Sequence, residues 1–142
     1  MQVEIVINAI PVPEPRKRVA VVNGRAKVYT PRAAKVNTFK HAAKLAAKCS
    51  MKRMSPLTGP LCVELTFVMP RTLNQVWKTK PMPRMVHDKK PDLDNLQKST
   101  WDALNGIVWQ DDSQICEVRA SKLVADGSEE PRVVVVVHEV QS

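Results

Sequence analysis

Aromatic residues, glycine and cysteine are all scarce in this chain of 142 residues. Aromatic side chains make up 4% of it, and there are four glycines and three cysteines. The core must therefore rest on Val, Leu, Ile, Ala and Met. Cys49, Cys62 and Cys116 lie far apart and form no C-x-x-C pair, which argues against a disulfide framework and a zinc site. We expect three buried thiols in a reducing compartment.

Long apolar runs are absent as well. No stretch approaches about 18 consecutive apolar residues, so no membrane-spanning helix is expected. The opening residues, MQVEIVINAI, have no basic start and no long apolar run, which argues against a signal peptide. We therefore predict a cytoplasmic protein with a single domain that spans residues 1–142.

Acidic residues are few in the first 90 residues. That part holds 18 Lys and Arg against 4 Asp and Glu, a balance of +14, whereas residues 91–142 hold 4 against 10, a balance of −6. The two balances sum to the net charge of +8. A basic surface around a small acidic focus suits a polyanion held near a divalent metal. The alternative is a basic protein whose acidic end has no special role.

Hydrophobic patterning predicts six strands and two helices. Short β-branched runs indicate strands, and the Asn23-Gly24 pair between two of them is typical of a hairpin. Apolar residues at the 3.6-residue period indicate helices. The predicted strands are Val3–Ile10, the two arms of the hairpin, Gly59–Pro70, Gln114–Val124 and Arg132–Val140. The predicted helices are Pro31–Arg53 and Leu93–Ile107.

Two further segments are predicted to be irregular. Pro11–Arg18 has three prolines in five residues and reads as a rigid basic connector. Residues 71–91 are rich in proline and basic side chains, and we expect a long mobile basic loop there. The order of elements indicates an α/β (α+β) fold, a single domain with a mixed β-sheet flanked by two main helices.

Four aspartates gather around the second predicted helix. Asp92 and Asp94 stand at its start, and Asp111 and Asp112 follow its end. One of the first pair could be the N-cap of the helix, but a cap does not explain both of them and a second pair. Clustered carboxylates repel each other unless a cation lies among them, and oxygen ligands suit Mg²⁺ or Mn²⁺.

A calcium EF-hand does not fit this pattern. Counted from Asp92, the sixth position is Gln97 instead of Gly and the twelfth is Ala103 instead of Glu. Lys98 follows Asp94 by four residues and shares its side of the helix. It could form an ordinary surface ion pair with Asp94, or it could stabilise charge on a phosphate beside a metal.

The spacing does not bring Asp112 to Asp92. A helix of about 13 residues is about 20 Å long, and the two aspartates lie beyond its opposite ends. A particular path of the loop or a second subunit would be needed to bring them together. Whether Asp111 is also a ligand stays open.

The stretch KPDLDNLQKSTWDALNG, followed by the Asp111-Asp112 pair and Gln114-Ile115, resembles the signature of RusA-type Holliday junction resolvases. These are small endodeoxyribonucleases common on prophages. A weaker resemblance covers PVPEPRKR and VYTP near the N-terminus. Glu14 and Lys17 depart from the family pattern in that segment.

The resemblance implies a homodimer that cuts four-way DNA junctions by paired symmetric nicks, with Mg²⁺ or Mn²⁺ as cofactor. Carried over by position, Asp92, Asp94 and Asp112 would be the metal-binding and catalytic acids, and Lys98 the catalytic lysine. The resemblance also implies that Asp112 lies near Asp92 and Asp94 in the folded protein. It supports a role in DNA recombination and repair.

Basic residues near these acids are candidate DNA contacts. The main candidates are Arg16, Lys17, Arg18, Lys89 and Lys90, followed by Lys78, Lys80 and Arg84. Trp77, expected to be exposed in the loop, could stack on an unpaired base. The alternative to a nuclease is a non-catalytic protein that binds branched DNA. The sequence does not distinguish a junction from a flap or a fork as the substrate.

Overall fold

The computed structural model describes residues 1–29 and 33–141. In this part of the chain the strands are β1 Gln2–Ile7, β2 Arg18–Val22, β3 Arg25–Tyr29, β4 Leu61–Met69, β5 Met85–Val86, β6 Ile115–Val124 and β7 Arg132–Glu139. The helices are α1 Ala33–Met51 and α2 Leu93–Leu104, and single 3₁₀ turns lie at Leu73–Gln75 and Asp112–Gln114. None of the helices described is long and apolar enough to cross a membrane.

Five of the strands form one mixed sheet in the order β1-β7-β4-β6-β5. β4 pairs in parallel with β6, and the other neighbours are antiparallel. The predicted fold class, a mixed sheet with two main helices, is therefore confirmed. Four long predicted strands match β1, β4, β6 and β7, and their ends agree to within three residues.

One face of this sheet forms the core with both helices. Alternate residues of β1 and β7 are buried, including Ile5 and Val135 at 0% exposure, because successive side chains point to opposite faces. On β4, Leu65 and Phe67 point to the same side. The apolar stripes of α1 and α2 cover them.

Helix α1 buries one face at intervals of three and four residues. Its buried residues are Val36, Phe39, Ala43, Ala47 and Met51. The predicted start at Pro31 lies outside the described residues. The helix ends at Met51, before the predicted Arg53, and Lys52 follows it with a φ of 55°.

Helix α2 ends at Leu104 and not at the predicted Ile107. Asn105 leaves the helical conformation, and Gly106 follows with a φ of 83°. The Gly106 amide donates to the carbonyl of Trp109 at 2.7 Å, and the indole N–H of Trp109 donates to the Asn105 side chain. This tight turn, which depends on contacts across residues 105–109, stops the helix three residues early.

The predicted hairpin is confirmed as a separate ribbon of β2 and β3. Asn23 and Gly24 both have positive φ values, 51° and 75°, as a two-residue hairpin turn with matching twist requires. The side chains of Val19, Val21 and Val28 lie on one face and are 66%, 77% and 61% exposed.

Two of the three cysteines are exposed. Cys62 is buried, whereas Cys49 and Cys116 are exposed free thiols. The expectation of three buried thiols is therefore wrong for Cys49, on the outer side of α1, and for Cys116, near the start of β6.

Residues 71–91 contain more regular structure than the sequence indicates. They include the 3₁₀ turn at Leu73–Gln75 and strand β5, which pairs with β6. The guanidinium of Arg71 donates to the carbonyl of Gln75 and, at 2.9 Å each, to those of Pro83 and Ala125. These contacts tie the segment to the end of β6, while its expected mobility stays a prediction.

A forked ion pair between Arg84 and Glu129 also holds this segment. The Arg84 Nε donates to Glu129 Oε1 at 2.8 Å, and Arg132 donates to Oε2 at 3.0 Å. The Glu129 side chain is 10% exposed. The hydrogen bond from Arg84 lowers the pKa of Glu129 to about 2 from its ordinary value of 4.5.

Replacing Glu129 by glutamine should therefore destabilise the protein in a pH-dependent way. We expect Glu129→Gln to lower the free energy of unfolding at pH 7 by about 2 kcal/mol, the value of a hydrogen bond to a charged group. Folding depresses this pKa, so the contribution is complete above pH 4.5 and is lost as the pH falls towards about 2. Urea unfolding across this pH range measures it.

The neighbouring Glu130, which is exposed, supplies the control. Glu130→Gln should change the free energy of unfolding by less than about 0.5 kcal/mol at any pH. An equal effect of the two variants at pH 7 would show that the ion pair of Glu129 does not stabilise the fold.

Candidate active site

Two exposed carboxylates stand at the start of α2. Asp92 occupies the N-cap position, with φ −69° and ψ 140°, but its side chain makes no capping hydrogen bond. Asp94, in the first turn, accepts a hydrogen bond from the Asn95 amide through Oδ1 at 3.0 Å. Both side chains are exposed. The simple cap interpretation of Asp92 is therefore not supported, and its oxygens are free for another partner.

A cleft of about 890 Å³ opens beside Asp92. One wall is formed by residues 10–16, which include most of the connector. The other wall contains the start of α2 with Lys90 and Asn95. The Glu14 amide donates to the Asn95 carbonyl at 2.9 Å, and the Ser99 hydroxyl donates to the Val12 carbonyl at 2.6 Å. The polar residues Arg16 and Lys35 also line it.

A smaller cleft of about 420 Å³ continues along α2. Arg16 and Asn95 border both spaces, and the second adds Lys17, Lys98 and Asp102. We call the two together the α2 groove. The structure thus brings four predicted site residues into one groove with Asp92: Arg16, Lys17, Lys90 and Lys98. Lys89 is exposed nearby, and the side chain of Arg18 lies outside the described part of the chain.

Two other acids that line the groove, one on each wall, are paired within the chain. The Lys40 ammonium lies 2.7 Å from Glu14 Oε2 and 3.4 Å from Asp102 Oδ2. Glu14, which departs from the family pattern, therefore does not present a free negative charge to a ligand. Asp102 pairs with Lys40 in the same way.

Trp101 and Trp77 are both occupied by contacts within the chain. Trp101 packs edge to face against Trp109, with ring centroids 5.4 Å apart. The ring of Trp77 lies between the Arg71 guanidinium at 4.9 Å and the Lys80 ammonium at 4.2 Å. Trp77 is half-buried, so the expectation that it is exposed is wrong. Arg84, a lesser DNA candidate, is engaged by Glu129.

The second pair of aspartates lies in a turn that Gln114 organises. Gln114 Oε1 accepts hydrogen bonds from the amides of Gln110 and Asp111 at 2.8 and 3.0 Å. Its Nε2 donates to the carbonyls of Leu57 and Gly59 at 2.9 and 3.0 Å. All four hydrogen-bonding positions of this amide are used. The turn that carries Asp112 is therefore fixed against the entry to β4.

Asp111 is a capping residue of that turn. Its Oδ2 accepts from the Ser113 amide at 3.2 Å. Hydrogen bonds from Ser113 lower the pKa of the Asp111 carboxyl below its usual range. Asp111 thus has a structural partner, whereas the side chain of Asp112, beside it, is half-buried in the first position of the turn.

A single chain does not bring Asp112 to Asp92 and Asp94. β4 and β6 are parallel, so the chain must cross back over the sheet between them, and α2 makes this crossing. The 12 residues of α2 span about 18 Å. Within residues 1–29 and 33–141, no group of three or more His, Cys, Asp or Glu side chains is placed to hold a metal ion.

Some residues around these acids carry no clear signal in the sequence. Lys35 and Asn95 line the cleft only because the connector packs against α2, a long-range contact. Gln114 could have been noticed, because a glutamine three residues after Asp111 is the pattern of a capping box. The contact of Lys122 with the backbone before Asp92 has no local pattern at all.

Replacing Asp92 and Asp111 by alanine should lower the stability by different amounts. Asp111→Ala removes a capping side chain and should lower the free energy of unfolding by about 1 kcal/mol. Asp92→Ala removes no capping bond, and we expect a loss below about 0.5 kcal/mol, from the helix dipole alone. Thermal unfolding without divalent metal measures both variants, and an equal or larger loss for Asp92→Ala would restore the cap interpretation.

Comparisons with known proteins agree with the sequence pattern. Residues 9–138 match the profile of the family described as Endodeoxyribonuclease RusA. The chain is also 33% identical over 137 residues to a Bacillus subtilis (strain 168) protein described as uncharacterized protein YqaN. That alignment covers 93% of this chain and 92% of the relative.

Proposed function

The chain belongs to the RusA family of endodeoxyribonucleases, and we propose on this basis that it resolves Holliday junctions by paired symmetric nicks with a divalent metal. The observation that carries the proposal is the α2 groove. It joins the free carboxylate of Asp92 to the cations of Arg16, Lys17, Lys90 and Lys98. A phosphodiester in this groove would meet both. Such an enzyme would act in DNA recombination and repair, and we expect it in the cytoplasm, where the DNA is.

The donor set at the start of α2 fits Mg²⁺ or Mn²⁺. Asp92 makes no capping hydrogen bond, and Asp94 uses one oxygen on its neighbour's amide, so carboxylate oxygens remain available. Hard divalent cations prefer such oxygens and keep several waters when few carboxylates bind them. When bound, the metal would supply a water of lowered pKa as nucleophile and a positive charge beside the phosphate.

The remaining chemistry falls to the side chains of the groove. Lys98, one turn beyond Asp94, would stabilise the negative charge that develops on the phosphate. Arg16, Lys17 and Lys90, together with the candidates Lys89 and Arg18, would hold the phosphates of the DNA arms. In-line attack by water would leave 5′-phosphate and 3′-hydroxyl ends.

Asp112 would join this site from a second copy of the chain. Within one chain the crossing of α2 separates it from Asp92 and Asp94. In a two-fold homodimer the contacts across the interface are reciprocal. A single interface could therefore bring Asp112 of each chain to the Asp92–Asp94 pair of the other chain. Asp112 of the partner subunit would then complete each acidic site, and two such sites would account for two opposed nicks.

Cleavage of a synthetic four-way junction tests the proposed activity. Wild type should nick it symmetrically with Mg²⁺ or Mn²⁺ and leave the linear duplex arms intact. Asp94→Asn should lower the rate by at least about a hundredfold, since removal of groups that only orient a ligand already costs 10- to 100-fold. Junction binding by this variant should persist.

Asp88→Asn is the matched control, because Asp88 is an exposed acid six residues before Asp94 and lies outside α2. It should cleave as wild type does. Tight binding without cleavage by the wild type in either metal would favour a non-catalytic protein that binds branched DNA. Equal cleavage of flaps and forks would widen the substrate to branched DNA in general.

Mixed dimers test the shared site. Asp94→Asn and Asp112→Asn chains, each inactive alone, are co-expressed with different tags and the mixed dimer is purified. If Asp112 acts across the dimer, one site in the mixed dimer is entirely wild type, and we expect single nicks without resolution. If Asp112 acts within its own chain, both sites carry a substitution and the mixed dimer stays as inactive as its parents.

A further inference from the structure

Lys122 of β6 contacts the backbone directly before the acidic pair. Its ammonium donates to the carbonyl of Lys89 and, at 2.6 Å, to the carbonyl of Pro91. The carbonyl of Lys122 itself accepts from the His87 amide at 3.1 Å. One residue of the sheet therefore binds the connecting segment, residues 87–91, at three points, through both its side chain and its backbone.

This contact lies directly before the start of α2. Pro91 immediately precedes Asp92, whose carbonyl accepts the first hydrogen bond of the helix from the Leu96 amide. Hydrogen bonds from a charged donor to a carbonyl are stronger than those between neutral groups. Lys122 is also half-buried, so water competes less for its ammonium. The link fixes the end of the connecting segment, and with it the backbone that carries Asp92 and Asp94, to the central sheet.

We propose that Lys122 is a positioning residue for the Asp92–Asp94 pair and for the Lys90 side chain beside it. The inference rests on the proposed function, because it assumes that these acids bind a divalent metal. Lys122 would touch neither metal nor substrate. Its role is to hold the carboxylates in the orientation that a metal with strict octahedral geometry requires.

The sign of the effect separates this role from a simple electrostatic one. A lysine ammonium near a metal site repels the cation, so loss of its charge alone would strengthen metal binding. Loss of a positioning contact would weaken it. Burial, together with the charge of Lys122, lowers the pKa of His87, which favours its neutral form.

The test measures Mn²⁺ affinity by the electron paramagnetic resonance signal of free Mn²⁺, with no DNA present. Lys122→Met keeps most of the aliphatic stem and removes the donor. We expect it to weaken Mn²⁺ binding by about tenfold, as loss of a group that orients ligands does. Lys122→Arg keeps the charge and several N–H donors and should restore most of the affinity.

Arg119→Met is the matched control. Arg119 lies on the same strand, its side chain is 80% exposed, and its nearest acid, Glu64, is 4.0 Å away. This variant removes one positive charge without touching residues 87–91. Mn²⁺ affinity should stay within about twofold of wild type, because salt largely screens the interaction of a solvent-exposed charge with the metal site.

Each outcome decides the inference. Equal or tighter Mn²⁺ binding by Lys122→Met, relative to Arg119→Met, would overturn it. A lower salt slope of junction binding, by about one, with unchanged Mn²⁺ affinity would also overturn it and make Lys122 a phosphate contact. If Lys122→Met does not fold, Lys122→Gln, which keeps one N–H donor, is measured by the same criteria.

Failure of the proposed function would look different. In that case wild type itself would bind no Mn²⁺ at Asp92 and Asp94, and Asp94→Asn would leave the titration unchanged. Failure of the inference alone would leave the wild-type affinity and its loss in Asp94→Asn intact. The kcat of Lys122→Met at saturating Mn²⁺ should recover towards wild type, which a general loss of folding would not allow.

Discussion

The parallel pairing of β4 with β6 determines where every candidate catalytic group lies. Two adjacent parallel strands begin at the same end of the sheet, so the chain that joins them must return across its face. Here α2 makes the return. Its start therefore lies near the end of β4, and the turn after it lies near the start of β6. The same constraint that builds the core thus separates the two pairs of aspartates.

Each of these two ends is fixed by one polar side chain bonded to backbone. At one end Lys122 binds the carbonyls before α2, and at the other Gln114 binds two amides and two carbonyls around the turn after it. Neither contact involves another side chain, so both depend on the path of the main chain alone. This arrangement ties both acidic ends to the backbone of the sheet and of the segments beside it. A site with acids from both ends would therefore draw on two chains, as proposed for Asp112.

Local chemistry was enough to predict most of the elements. The valine-rich strands, the Asn23-Gly24 hairpin and the amphipathic α2 all follow from neighbours within a few residues. The Asn105-Gly106 pair is a local signal for the end of α2, and the bond from Trp109 to Asn105 reinforces it. The two-residue strand β5 could not be predicted in this way, because pairing with β6 creates it. The exposure of Cys49 and Cys116 likewise depends on which faces the tertiary structure leaves open.

The candidate site shows the same division between local and long-range information. The motif around Asp92, Asp94 and Lys98 is contiguous in sequence, and it identified the start of α2 without any knowledge of the fold. The groove that surrounds it needs the connector to pack along α2, which depends on the Glu14 and Ser99 contacts. The position of Asp112 relative to the other acids depends on the topology of the sheet. The spacing along the chain predicted only that a helix separates Asp112 from Asp92 and Asp94.

The ribbon of β2 and β3 makes one wall of the groove easier to move than the other. A two-stranded ribbon is marginally stable by itself, so it can open or swing at a lower free energy than the five-stranded sheet. Arg16 and Lys17 lie between the last tie of the connector to α2, at Glu14, and the first residue of this ribbon. The wall with Arg16 and Lys17 can therefore move more easily than the wall formed by α2. If the groove binds DNA as proposed, that wall would follow DNA arms that meet at different angles. The start of α2, which carries Asp92 and Asp94, is tied to the five-stranded sheet through Lys122, so such a movement would leave the geometry of these acids unchanged.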